Sequence, residues 1–233
     1  MKKIFLLVMC IATPIFSYEH NMLNLTVPSK LEAGFSVFDI EHRFYGRVDN
    51  QPIDTFFGID AGANMKMSSR YCWATGWEVK VSHVRAPNQY TVGLSYVPEI
   101  LPIQIDVELI STKVLERINT FYYSLSKQKQ LLPYLSAAVN LGYDAAVSKA
   151  GAGLGLEFQM MSELYLMGEY YPSNQVIAKD SAFAIGMRYE TFGHNFMLMV
   201  QNSTDVGPRR LMQGTLTPSD FYLGFNIHRL LSL

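Results

Sequence analysis

Tyr90–Ile110 reads YTVGLSYVPEILPIQIDVELI. Tyr90, Val92, Leu94 and Tyr96 alternate with Thr91, Gly93 and Ser95. Beyond the short Val97–Leu101 connection, Ile103, Ile105, Val107 and Leu109 alternate with Gln104, Asp106 and Glu108. A period of two marks strands with one apolar and one polar face, here joined as a hairpin. Most of the chain repeats the pattern, so the fold class is all-β.

Upstream, strand one is expected over about Leu31–Phe44. Phe35 and Val37 lie on one parity there and Phe38, Ile40 and Phe44 on the other, a switch that a bulge permits. Strand two is expected over about Phe56–Ser69, with Asp60, Asn64 and Lys66 on its polar face, and strand three over about Gly76–Arg85, with Glu78 and Lys80 on its polar face. Downstream, the same alternation runs through Phe121–Ser126, Leu135–Gly142, Ala152–Gln159, Glu163–Tyr171, Phe183–Glu190, Asn195–Asn202 and Phe221–Arg229. The total is about twelve strands, with about ten or about fourteen as the adjacent even counts, and their lengths suit a tilted bilayer crossing.

With both termini in the periplasm, every second connection of a transmembrane barrel is a short turn. Tyr71–Thr75, Val97–Leu101, Lys127–Gln130, Met161–Ser162 and Thr191–His194 are short. Tyr45–Thr55, Thr112–Arg117, Asp144–Ala150, Pro172–Asp180 and Ser203–Ser219 are mostly longer, and Ala86–Asn88 is the exception. A soluble barrel or sandwich would turn its apolar faces inward. Three features favour outward. The polar faces hold Gly, Ala, Ser and charges, and the apolar faces are nearly free of charge. Tyr90, Tyr96, Trp77, Tyr143, Tyr170 and Tyr189 stand in the apolar register near strand ends, as interfacial girdles do. Charged residues are only 17% of the chain, against roughly 25% in ordinary soluble domains. The reading is a transmembrane antiparallel up-and-down β-barrel over residues 31–233.

Met1–Ser17 has the form of a secretory signal, with Lys2 and Lys3 before the apolar Ile4–Ala12; a lipoprotein site at Cys10 is the rival, with Met9 where a small residue is expected. Cleavage near Ser17 leaves Cys72 alone, in an expected turn, with no internal disulfide partner. Residues 18–30 form a polar periplasmic lead-in. The address implied is the outer membrane of a Gram-negative bacterium. Near the end, Phe221, Leu223, Phe225, Ile227, Leu231 and Leu233 keep one parity, like the C-terminal signal read by barrel-assembly machinery, although Arg229 interrupts it and the last residue is not aromatic.

His42-Arg43-Phe44, Phe57-Gly58-Ile59-Asp60, Gly193-His194-Asn195-Phe196 with Gln201-Asn202-Ser203, and Gly224-Phe225-Asn226-Ile227-His228-Arg229, in that order, resemble a bacterial β-barrel family classed as a domain of unknown function. The resemblance spans about Lys30–Arg229. It implies an outer-membrane barrel and brings no activity or site with it.

Chemistry is sparsely signalled. Of the five histidines, His42, His83 and His194 fall in the apolar register and His228 in the luminal one. No His-x-Ser pair of the kind seen in lipid-cleaving barrels occurs, so a lipid-modifying enzyme using His83 or His194 is the third-ranked reading. Asp39 and Glu41 share a face with Arg43, which favours a salt-bridged wall over a metal site. Gly151-Ala152-Gly153-Leu154-Gly155 lacks the Lys and helix of a phosphate loop and reads as close packing. No catalytic residue, metal or cofactor is expected. The formal net charge of -1 gives no case for nucleic acid.

The luminal register is the functional clue. It holds Asp39, Glu41, Asp60, Glu78, Asp106, Glu108, Glu157, Glu163, Glu169 and Glu190 against Arg43, Lys66, Lys80, Arg188 and His228. An acidic, water-filled lumen favours cations. The first expectation is therefore a narrow cation-preferring pore for small cations or solutes. The alternative is a closed structural barrel, its charges paired across the lumen, that displays Tyr45–Thr55 and Ser203–Ser219 to a partner.

Overall fold

A computed structural model of the protein describes residues 21–113 and 116–232; the expected signal segment, the Cys10 lipid site and the final Leu233 lie outside them. The strands are β1 (Phe35–Arg47), β2 (Ala63–Ala74), β3 (Trp77–Val84), β4 (Gln89–Tyr96), β5 (Ile103–Lys113), β6 (Arg117–Leu132), β7 (Leu135–Asp144), β8 (Lys149–Gln159), β9 (Leu164–Tyr171), β10 (Ala182–Thr191), β11 (His194–Gln201) and β12 (Tyr222–Ser232). Each pairs antiparallel with its sequence neighbour, and β12 returns to β1, closing a twelve-stranded barrel. The hairpin that opened the reading is β4–β5, with Val92 opposite Leu109 and Leu94 opposite Val107.

The faces are those of a membrane barrel. On β4 and β5 the outward Val92 is 55% exposed and Leu109 45%, while the inward Ser95 and Asp106 are 1% exposed. A chain that shows aliphatic side chains outward all around a closed ring needs an apolar surrounding to do so. At the end bearing the termini, Trp77 stacks on Tyr96 with ring centroids 4.3 Å apart.

Several boundaries differ from the expectation. β1 keeps continuous register with β2 from Ser36 to Phe44, so no bulge switches its faces. Val37 instead points inward like Asp39 and Glu41, and packs with Leu31 and Cys72 against Phe35 and Leu230. Cys72 is thus a buried strand residue, not a turn residue. β2 begins late because Phe56, Phe57 and Gly58 all adopt positive φ and Ile59–Ala61 form a single 3₁₀ turn. That places Asp60 in an exposed loop, outside the lumen. Lys127–Gln130 is strand: β6 runs on until Pro133, which has no N–H to give the ladder.

The interior is filled. Residues 21–31, of which 21–30 were expected within a polar periplasmic lead-in and Leu31 as the start of strand one, lie inside it, with Met22, Leu23 and Leu25 at 0% exposure. They share one core with Ala138, Met167, Tyr171, Ala182, Ala184, Met197 and Met199 of the wall and with Leu211 and Met212 of the β11–β12 connection. That connection carries a one-turn helix, α1 (Pro208–Leu211), and folds inward. The Ser203–Ser219 loop, expected to be displayed, is therefore largely withdrawn into the lumen.

Candidate functional site: the occupied lumen

The two sides of the lumen differ in chemistry. β7–β11 bring glycines, alanines and methionines to it, with Asp144, Glu157, Glu169, Arg188 and Glu190 among them, while β1–β5 bring mostly polar and charged residues. The internal segment lies on the β7–β11 side. Two glycines of β8 make its bed: a Cβ at Gly153 would come within 2.6 Å of Leu25, and one at Gly155 within 2.6 Å of Leu25 and 2.7 Å of Met22; a third, Gly151, makes room for Met212 of the inward loop, 2.8 Å from its Cβ position. The Gly151–Gly155 run thus serves close packing, against a partner that its own sequence does not reveal. A signal for that partner exists in β11, where Met197 and Met199 face inward between outward Phe196 and Leu198. Apolar residues on both parities mean that both faces are covered.

The segment turns back on itself, with Met22 N–H donating to Leu25 C=O at 2.8 Å and Asn21 bridging Thr26. Side chains of the wall hold its main chain. The Glu169 carboxylate accepts the Asn24 N–H at 2.9 Å and the Leu25 N–H at 2.9 Å. Asn140 accepts the Thr26 N–H at 2.9 Å and donates to the Thr26 carbonyl at 2.6 Å. Asn226 donates to the Leu23 carbonyl at 2.7 Å, Arg43 donates to the Asn24 side-chain oxygen at 2.8 Å, and Gln104 accepts the Ser29 N–H at 3.0 Å. Tyr171 donates its hydroxyl to Glu169 at 2.9 Å. A buried carboxylate and guanidinium are tolerable only with bonds of this kind.

Gln201 joins the segment to the inward loop. Its carbonyl oxygen accepts from Arg43 at 3.1 Å and Asn24 at 3.2 Å, and its amide donates to the Ser203 and Asp205 carbonyls. The loop is latched by Arg209, 2.7 Å from Asp144, and by Gln213, which donates to Asp144 at 2.8 Å.

On the charged side the expected residues converge as pairs. Lys66 meets Glu41 at 2.6 Å, and Lys80 meets Asp106 at 2.8 Å and also Glu108. Arg188, on the opposite wall, meets Glu157 at 2.9 Å and Glu190 at 2.9 Å, with its guanidinium 4.4 Å from the centre of the Tyr165 ring. Asp39 accepts from Ser68 at 3.0 Å and lies 4.0 Å from His228. Glu78 pairs with Arg70 at 3.0 Å, a buried cation that lies just past Ser69, where strand two was expected to end. Among the described residues no group of three or more His, Cys, Asp or Glu is placed to hold a metal. His42 and His83 stack outside the barrel on Phe225 and Tyr90, each with centroids 4.5 Å apart, and His194 stacks on Phe196.

Between the segment and this charged wall a cavity of about 100 Å³ remains, lined in part by Asn24, Lys66, Arg70, Lys80, Glu108 and Arg209. A closed ring of strands with an apolar outer face and a polar inner one is that of a membrane barrel, and the sequence agrees. Residues 125–231 match the family described as "Membrane bound beta barrel domain (DUF5777)". The protein is a membrane β-barrel.

The match begins in β6 and ends in β12, so it takes in the Gly193, Gln201 and Gly224 motifs, and the His42 and Phe57 motifs lie ahead of it. Arg43, Gln201 and Asn226, one from each of three motifs, meet around Leu23 and Asn24. No curated protein matches the sequence. Among solved structures, a KdgM porin aligns with a TM-score of 0.57 at 13% identity, over 83% of this chain and 98% of that one. A KdgM porin in complex with disordered oligogalacturonate gives 0.54 at 12% identity, over the same shares of the two chains. A NanC porin gives 0.49 at 10%, over 84% and 99%. At these identities the likeness is one of fold.

Proposed function

We propose that the protein is a transport channel of the bacterial outer membrane, shut at rest by its own residues 21–31 and passing small solutes when they leave. The observation that carries this is the manner of occlusion. The segment rests on glycines and is held by wall side chains, and it covers only one side of the lumen. The porin-like fold supports the channel half of the proposal. Export by Met1–Ser17 and insertion by barrel-assembly machinery belong to the same reading. Cation preference does not, because the luminal carboxylates do not stand free: Glu41 is paired with Lys66, Glu78 with Arg70, and Asp106 and Glu108 share Lys80.

The test is conductance of the refolded barrel in a planar bilayer. The chain from residue 18 should be almost silent, and deletion of residues 18–30 should give steady openings. Silence of a deletion variant shown to be folded and inserted would favour the second reading, a closed interaction barrel. That reading draws on the β1–β2 loop, which holds Ile53 at 87% and Phe56 at 66% exposure.

A further inference from the structure

The bonds that hold the internal segment go mainly to its main chain. Leu23 offers a carbonyl, Asn24 and Leu25 offer N–H groups, Thr26 offers both, and Ser29 offers an N–H. Among residues 22–26, only Asn24 is also gripped by its side chain, through Arg43, Glu169 and Gln201. The flanking Met22, Leu23 and Leu25 sit against glycines, where shape and size are read and chemistry is not. The groups that grip residues 22–26 come from β1, β7, β9, β11 and β12, with Gln104 of β5 on Ser29, far apart in sequence and converging on a few residues of backbone.

A permanently filled barrel has no need of this polarity. An apolar core of the same shape is commonly as stable as a buried ionic one, or more so. Polar walls suit a site that empties, because once vacated Glu169, Arg43, Asn140 and Asn226 are satisfied by water instead of leaving bare hydrocarbon.

Resting on the channel reading above, we infer that this cradle is a binding site for short peptides, with residues 22–26 as its resident occupant. The ligand class is a neutral peptide of about five residues that makes a tight turn and carries aliphatic side chains around a central amide. Recognition through N–H and C=O groups tolerates varied side chains, as main-chain capture does in other peptide sites.

The probe is the capped peptide of residues 21–26, acetyl-NMLNLT-amide, applied to the variant lacking residues 18–30. It should bind by calorimetry and block the current in a saturable way. The same peptide N-methylated at the positions of Asn24 and Leu25 should lose most of the block, since it presents no N–H to Glu169. Asn140→Leu in the wall removes two hydrogen bonds and should weaken binding by about tenfold or more. Equal block by the N-methylated peptide, or by an acidic oligosaccharide in place of the peptide, would overturn the inference. If the folded variant binds the peptide yet never conducts, the channel reading fails and the peptide site stands; if it conducts and ignores the peptide, the reverse holds. Should the deletion variant not fold, the chain from residue 18 carrying Asn24→Gly and Leu25→Gly serves instead. Its resident segment loses the Asn24 side-chain bonds and the packing of Leu25 on Gly153 and Gly155 while the cradle is unchanged, so the free peptide should displace it and the N-methylated one should not.

Discussion

Lys80 sits between Asp106 and Glu108, its ammonium in contact with both carboxylates and its side chain 13% exposed. Replacing the two acids with Asn and Gln leaves that cation without a counter-charge beside the residual cavity. In the barrel lacking residues 18–30, Asp106→Asn with Glu108→Gln should therefore move the reversal potential in a salt gradient toward anions, and unchanged selectivity would place the current path elsewhere. The inward parity of these residues was legible in the sequence, because a strand's period fixes the face once the register is known. Their partners were not. Lys80 finds Asp106 and Glu108 across two strand boundaries, and Glu169 finds the main chain of Asn24, which no side-chain pattern announces. Asp60 was misplaced for a local reason: alternation continues through Phe57, Ile59 and Ala61 in sequence, while the left-handed Phe56–Gly58 backbone takes them out of the sheet.

Among the elements, the β11–β12 connection is the one whose behaviour separates two sources of closure. Arg209 and Gln213 both hold Asp144 at the head of β7. Changing both to Ala should leave the full-length chain as silent as before, because residues 21–31 still fill the lumen. In the variant lacking residues 18–30 the same pair should raise unit conductance, since the freed loop no longer narrows the path. The short and long connections tell apart the two ends of the barrel, with the β6–β7 turn expected at Lys127–Gln130, because that stretch is polar, and found at Pro133 and Tyr134. What the strands enclose was less readable. Residues 21–31 mix apolar with polar side chains, and Leu23, Leu25 and Val27 alternate with Asn24 and Thr26 over only five residues, too short a run to tell that the segment folds back on itself inside the barrel.

At the scale of the whole molecule, the deciding property is an apolar exterior around a polar, filled interior. A charge on the outer face should therefore cost more than the same charge at a soluble surface. Val107 lies outward in mid-strand on β5 at 39% exposure. Val107→Lys should destabilise the barrel in bilayers by about 2–4 kcal/mol, measured by reversible denaturant unfolding from vesicles. A change within about 0.5 kcal/mol, the range of ordinary surface substitutions, would argue that this face meets water.

The internal segment leads into β1 through only Glu32, Ala33 and Gly34. So short a leash makes occupancy an intramolecular event, governed by an effective concentration that for short flexible links is of millimolar order. A free peptide of equal intrinsic affinity would have to approach that concentration to displace the resident one. Opening the intact barrel is thus a matter of competition with a permanently tethered neighbour. Any signal that opens it in the cell has to lower that neighbour's occupancy, by pulling on the chain ahead of residue 21 or by loosening the grip of Glu169 and Asn140.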